Sequence, residues 1–234
     1  MDELVPEKIP DGYFIILTGP PAIGKGVFAA QFIYHGLSAG ENAIHIAVDS
    51  PPSEMRKIHR RYGWEPEKYE RNGSLRFIDC YSWRLGGSSE EKYYIADPAN
   101  LTEVSLKLEE AKSGLELPLR IAVDSFSSLT FRVRASTAVG FMEALEGKVA
   151  KYGCLGLSVV EDGVHSRRTM SILRSIADGI FEMKVAEESG RLQRYFRIFT
   201  IRGTECSTRW VPFDISRQGV VFGVNKEGLQ RVTE

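Results

Sequence analysis

The chain has 234 residues, of which 43% are hydrophobic and 26% charged, and its 30 Lys and Arg residues nearly balance its 31 Asp and Glu residues. This composition is typical of an ordinary globular protein and excludes a disordered chain. The formal net charge of −1 argues against a protein that coats nucleic acid through a general excess of basic residues. We therefore expect one domain over residues 1–234.

Targeting and membrane signals are missing from the sequence. The N-terminal residues are acidic and lack the apolar segment of a signal peptide, and the uncharged stretch 13–24 is far shorter than the ~20 apolar residues of a membrane span. Three cysteines, Cys80, Cys154 and Cys206, have no metal-ligand spacing. We expect a cytoplasmic protein with reduced thiols and no membrane partner.

Short apolar runs alternate with amphipathic segments over most of the chain, which is the pattern of βα units on a parallel sheet. The predicted strands are 13–18, 43–48, 75–79, 119–124 and 154–160, and the predicted helices are 26–37, 51–62, 98–112 and 136–152. The first strand is apolar on both faces, as expected at the centre of a parallel sheet.

From about Asp178 onward the pattern changes to strands separated only by short turns. These strand-like runs are 180–186, 192–201, 209–215 and 220–224. Because no helix fits between them, we predict antiparallel strands at one edge of the sheet. The predicted fold class is α/β, a mainly parallel sheet flanked by helices with an antiparallel C-terminal edge.

A candidate phosphate-binding loop lies between the first predicted strand and the first predicted helix. The sequence Gly-Pro-Pro-Ala-Ile-Gly-Lys-Gly fits the pattern G-x-x-x-x-G-K, in which backbone N–H groups surround phosphates and the lysine reaches the terminal ones. The helix that follows directs its positive end at the anion. The predicted nucleotide-binding residues are Gly19, Pro20, Pro21, Ala22, Ile23, Gly24, Lys25, Gly26 and Val27. The alternative is a glycine-rich turn that serves packing only.

The metal-binding part of this pattern is incomplete. Gly26 stands where a Ser or Thr hydroxyl normally binds Mg²⁺. A second apolar strand ends in Asp124, and we predict that this carboxylate holds the Mg²⁺ shell indirectly, from a strand next to the phosphate loop. The sequence leaves open whether Mg²⁺ binds.

In combination, these segments resemble the KaiC-like branch of the RecA superfamily of ATPases. The matching segments are 19–26, 43–52, 121–129 and 196–204, followed by Pro-Phe-Asp-Ile at 212–215. The resemblance covers nearly the whole chain. It implies a RecA-like core that binds ATP or ADP between the subunits of a homo-oligomeric ring or filament.

Three positions depart from the family pattern. Asp49 and Ser50 stand where the family usually has a Glu pair that polarises the attacking water; Asp49 is a weak candidate acid, because a misplacement of about 1 Å can cost ~10²-fold in rate. Thr200 replaces a lysine, whereas Arg202 is kept as a candidate finger for the neighbouring subunit's γ-phosphate. Together with Gly26, these changes weaken hydrolysis more than binding. We predict a nucleotide-responsive regulator with weak or absent hydrolysis.

Other functions remain open on the sequence alone. A working Mg²⁺-dependent ATPase would use Asp49 as its acid. A recombinase paralogue would bind single-stranded DNA, with Arg167 and Arg168 in a loop after the fifth strand as the best candidates, although the near-neutral charge does not favour this. A scaffold would leave the phosphate loop empty and bind a protein partner.

Three further features receive structural interpretations. The basic run 56–61 is expected to be a solvated helix face rather than a nucleic-acid contact. His45, within a predicted strand, is expected to be a core or interface residue. The loop around Trp83 to Ser89 exceeds ordinary connection lengths, and its role is not assigned.

Overall fold

A central β-sheet organises the chain in the computed structural model, which describes residues 8–86, 89–188 and 190–223. The strands within these residues are β1 (Phe14–Gly19), β2 (Asn42–Ala47), β3 (Leu75–Asp79), β4 (Tyr93–Tyr94), β5 (Leu119–Asp124), β6 (Leu155–Glu161), β7 (Gly179–Glu188), β8 (Arg191–Ile201), β9 (Val211–Ser216) and β10 (Gly219–Phe222). The α-helices are α1 (Lys25–Ser38), α2 (Pro52–Arg61), α3 (Pro66–Arg71), α4 (Leu101–Lys112), α5 (Phe126–Thr130), α6 (Ala135–Tyr152) and α7 (Arg167–Ile176), and a 3-10 turn covers Ser82–Leu85.

The strands lie in the order β10-β9-β8-β7-β1-β6-β5-β2-β3-β4. Neighbours from β7 to β4 are parallel, and β8, β9 and β10 are added in antiparallel pairs. This arrangement confirms the predicted fold class. The carboxyl ends of the parallel strands share one edge of the sheet, called the carboxyl edge below, and their amino ends share the opposite amino edge.

Strand β1 is buried at all six positions because helices cover both of its faces. Ile15 and Leu17 pack with Phe28 of α1 on one face, whereas Phe14 and Ile16 belong to the larger core on the other face, which includes α4 and α6. Removal of this apolar surface from water is the main stabilising contribution. The packing of β1 on both faces also fixes the position from which the phosphate loop leaves the sheet.

One predicted neighbour relation is wrong. The strand that ends in Asp124, β5, does not lie next to β1, because β6 pairs with both and lies between them. Consequently Glu161, the last residue of β6, lies between the ends of β1 and β5 at the carboxyl edge. The sequence pattern identified the parallel strands β1, β2, β3, β5 and β6 but contained no information on their order. Strand β7, predicted within the antiparallel segment, is parallel to β1 and antiparallel to β8.

The prediction missed five elements: α3, the 3-10 turn, β4, α5 and α7. The loop prediction for Arg167 and Arg168 is wrong, since both residues begin α7, where Ser166 accepts a hydrogen bond from the backbone N–H of Thr169. The last predicted strand, 220–224, is confirmed as far as Phe222, and Val224 lies outside the described residues. The four missed elements of two to six residues give too few turns or alternations to be recognised by period, whereas α7, with ten residues, is long enough for its period to have been recognised.

The basic helix α2 is only partly a solvated face. Arg56 is turned inward, where its guanidinium binds the carboxylates of Glu70 and Glu91, and His59 is buried. His45 is fully buried against Phe77, which confirms its place in the core. Within the described residues, no helix combines the length and apolar character that a membrane crossing requires.

Candidate phosphate-binding site

The phosphate loop connects β1 to α1 and requires glycine at two positions. Gly24 has a φ of 114°, and a Cβ atom there would lie 2.6 Å from Cδ1 of Ile215. At Gly19, a Cβ atom would lie 2.8 Å from the carbonyl oxygen of Met183. The loop therefore packs so closely against β7 and β9 that its path depends on these glycines.

Lys25 is the first residue of α1, and its side chain is only 3% exposed. Its Nζ donates hydrogen bonds to the carbonyl oxygens of Gly19 (2.8 Å) and Pro20 (2.6 Å) and to Oε2 of Glu161 (2.9 Å). The ammonium group thus points into the loop, at the place from which a lysine reaches bound phosphates.

Gly26 lies against the predicted metal-site acid. A Cβ atom at this position would be 3.1 Å from Oδ2 of Asp124, so a Ser or Thr side chain would project at that carboxylate. The distance places Gly26 and Asp124 together, as the motif predicts. The glycine supplies no oxygen there.

Three carboxylates gather at the carboxyl edge: Asp49, Asp124 and Glu161. Burial of its carboxyl, together with the negative charges of Asp49 and Glu161, raises the pKa of Asp124 to about 7 against the opposing effect of Lys25. Asp49 is exposed and lies two residues beyond β2, and its backbone N–H donates to the carbonyl oxygen of Asp124 (3.3 Å). No group of three or more His, Cys, Asp or Glu residues in the described part of the chain has a geometry suited to a metal ion.

Glu161 is the residue of this site that the sequence prediction missed. The predicted strand ended at Val160, one residue short of β6. An apolar strand that ends in an acid was the signal used for Asp124, and the same signal is present at Glu161. The contact with Lys25 joins positions 136 residues apart. Its prediction would have required knowledge of the order of the strands in the sheet.

Arg202 lies away from this site. It follows β8 at the amino edge, where Ile201 pairs with Gly179, and Gly179 pairs with Ile15 near the start of β1. The loop begins after Gly19, about 13 Å further along that strand. The Arg202 side chain is 62% exposed and binds Asp178 at 2.7 Å. It is therefore directed away from the phosphate loop of its own chain, and a role on a neighbouring subunit stays a prediction.

Comparisons with known proteins agree with this geometry. A family model described as the ATPase KaiC matches residues 1–227. The UPF0273 protein MK0039 of Methanopyrus kandleri is 32% identical, with 94% of this chain and 87% of that protein covered. The UPF0273 protein PF1931 of Pyrococcus furiosus is 30% identical, with 97% and 92% covered.

A solved structure has the same fold. The crystal structure of the KaiC-like protein PH0186 from Pyrococcus horikoshii aligns with a TM-score of 0.79 at 24% identity, covering 96% of this chain and 95% of that one. At this identity the alignment supports the fold, and the family assignment rests on the family model and the curated relatives. The chain belongs to the KaiC-like branch of the RecA superfamily of ATPases.

Proposed function

We propose that the chain binds ATP or ADP at the phosphate loop, hydrolyses ATP weakly or not at all, and acts as a nucleotide-responsive regulator. The proposal rests on one observation: the phosphate loop keeps its lysine, whereas the adjoining metal site lacks its hydroxyl ligand. Lys25 is held inside the loop, whereas the space beside Asp124 that a hydroxyl would fill is bordered by Gly26.

The groups that bind phosphate are in place. Lys25 supplies a positive charge, and α1, with 14 residues, directs its amino terminus at the loop. The unpaired N–H groups of a helix amino terminus and a charged lysine are strong donors to an anion. Binding of the phosphates of a nucleotide therefore needs no residue that this chain lacks.

The groups that support hydrolysis are weaker. Gly26 offers no ligand to Mg²⁺, and the carboxyl of Asp124, with its pKa raised to about 7 by burial and nearby acids, is a poorer partner for a cation than an ordinary Asp. The residues present therefore fit Mg²⁺ only in part. Asp49 is short and exposed, and Thr200 replaces the family lysine. Phosphoryl transfer depends on positioning and charge stabilisation, so these losses reduce the rate more than the affinity.

Assembly into a ring or filament follows from the same proposal. Arg202 is exposed at the amino edge, opposite the phosphate loop, so one copy can present it to the loop of the next. We expect a cytoplasmic homo-oligomer. A DNA contact through Arg167 and Arg168, exposed at the start of α7, is not favoured by the net charge of −1.

Calorimetric titration with ATP and with ADP, each with and without Mg²⁺, tests the binding. The expected result is saturable binding of both nucleotides, with little gain in affinity on addition of Mg²⁺. In the variant Lys25→Ala, the affinity for both nucleotides is expected to fall by about 100-fold or more. An absence of binding by the wild-type protein at millimolar nucleotide would contradict the proposal and favour an empty loop kept for docking.

A further inference from the structure

Lys25 already has an anionic partner in its own chain, the carboxylate of Glu161. We propose that Glu161 competes with the terminal phosphate of the nucleotide for Lys25, and so lowers and sets the affinity of the site. This inference rests on the proposed function, because it assumes that nucleotide phosphates approach Lys25.

The donors of Lys25 are fully used. An ammonium group has three N–H donors, and the three hydrogen bonds of Nζ go to Gly19, Pro20 and Glu161. Two of these acceptors are neutral carbonyl oxygens of the loop itself. Glu161 is the charged one, and a phosphate oxygen that binds Lys25 must replace one of the three. The carboxylate is therefore the direct competitor of the phosphate.

Glu161 is held in position by its strand. It is the last residue of β6, in register with Gly19 of β1, and its backbone N–H donates to Oγ of Ser127 (2.9 Å), which is itself buried. Its side chain is 20% exposed, beside a lysine that is 3% exposed. A carboxylate anchored on a strand stays near Lys25 without the entropy cost that two flexible surface side chains would pay.

The neighbours of Glu161 add to the effect. Once Lys25 turns to a phosphate, the Glu161 carboxylate loses its counter-ion and stands among Asp124 and Asp49. Like charges at short distance disfavour ionisation and repel a further anion. Nucleotide binding therefore includes the cost of breaking the Lys25–Glu161 pair and of leaving this carboxylate beside other negative charges.

The variant Glu161→Gln removes the charge at nearly constant shape. Hydrogen bonds to charged groups contribute more than neutral ones, so we expect ATP affinity without Mg²⁺ to rise about tenfold. Glu161→Asp keeps the charge but withdraws it by one methylene from Lys25, and a smaller rise of about threefold is expected. Because Glu161→Asp keeps an acid at the position, it can test the same inference if Glu161→Gln fails to fold.

Glu182→Gln is the matched control. Glu182 stands on the other side of β1, in register with Thr18, and its carboxylate, 15% exposed, binds Arg174 and Arg197 instead of Lys25. The control removes the same charge from the same region of the carboxyl edge. It should change ATP affinity less than about twofold, since it leaves the partners of Lys25 unchanged.

The outcomes separate this inference from the proposed function. ATP binding that is unchanged in Glu161→Gln, or raised equally in Glu182→Gln, overturns the role of Glu161 and leaves nucleotide binding standing. Failure of the wild type and of both Glu161 variants to bind ATP overturns both the role of Glu161 and the proposed nucleotide binding. In a Lys25→Met background, Glu161→Gln should no longer raise affinity; a tenfold rise there would show that Glu161 acts on the phosphate without Lys25 and would also overturn the inference.

Discussion

The cations proposed to bind nucleotide, Lys25 and Arg202, lie at opposite edges of the sheet and in opposite surroundings. At the carboxyl edge, Lys25 is 3% exposed and enclosed by three acceptors of its own chain. At the amino edge, Arg202 is 62% exposed and binds Asp178. An enclosed cation can bind an anion that enters the site of its own chain, whereas an exposed cation can contact a second molecule. Under the proposed function, each edge supplies one half of a nucleotide site that assembly of two copies completes.

Loss of the enclosed cation should have the largest effect. Lys25→Ala removes the charge that reaches the terminal phosphates, and we expect nucleotide affinity to fall by about 100-fold or more. Calorimetry measures this change. Lys8→Ala, which removes an exposed lysine paired with Asp11, is the control; a comparable loss there would mean that the effect depends on net charge.

The path of the loop should be the next most sensitive feature. Gly24→Ala places a Cβ atom 2.6 Å from Ile215 at a φ of 114°, and we expect a loss of about 1–3 kcal/mol in the free energy of unfolding. Chemical denaturation gives the value. Gly140→Ala is the control, because a Cβ atom there meets nothing within 4 Å in helix α6, and alanine should stabilise the helix slightly. Equal effects of the two changes would contradict the close packing of the loop.

The carboxylates of the carboxyl edge should make stability depend on pH. The pKa of Asp124 rises from 3.8 to about 7 through burial and the charges of Asp49 and Glu161. Between these values the folded protein keeps a proton that the unfolded chain has released, so stability falls as pH rises through this window.

Asp124→Asn removes the ionisable carboxyl and, with it, this pH dependence of stability. We expect the melting temperature of the variant to exceed that of the wild type by a few degrees at pH 8 and to match it near pH 4. Asp11→Asn, at an exposed position, should show no such pH dependence. A constant difference between Asp124→Asn and wild type at both pH values would exclude this account of the carboxyl.

The exposed cation should affect binding least. Arg202→Ala leaves the phosphate loop intact, and nucleotide affinity measured at low protein concentration should change less than about twofold. Its effect should appear in nucleotide-dependent assembly, which sedimentation velocity measures. A protein that stays monomeric with nucleotide, in wild type and variant alike, would remove the role assigned to the amino edge.

The contrast between the edges also explains what the sequence could predict. The loop and its lysine follow from local pattern, because strand, loop and helix are contiguous and their geometry is fixed by the motif. The insertion of β6 between β1 and β5, and therefore the contact of Glu161 with Lys25, depends on strand order over more than a hundred residues. Local periodicity contains no information on that order.

Phosphate release from ATP in the presence of Mg²⁺ tests the proposal that this chain binds nucleotide with little or no turnover. Wild-type protein and Lys25→Ala are compared at a concentration at which calorimetry shows the wild type saturated with ATP. We expect the wild type to release phosphate no faster than the variant. Robust Mg²⁺-dependent release that disappears in Lys25→Ala would contradict it and identify a working ATPase.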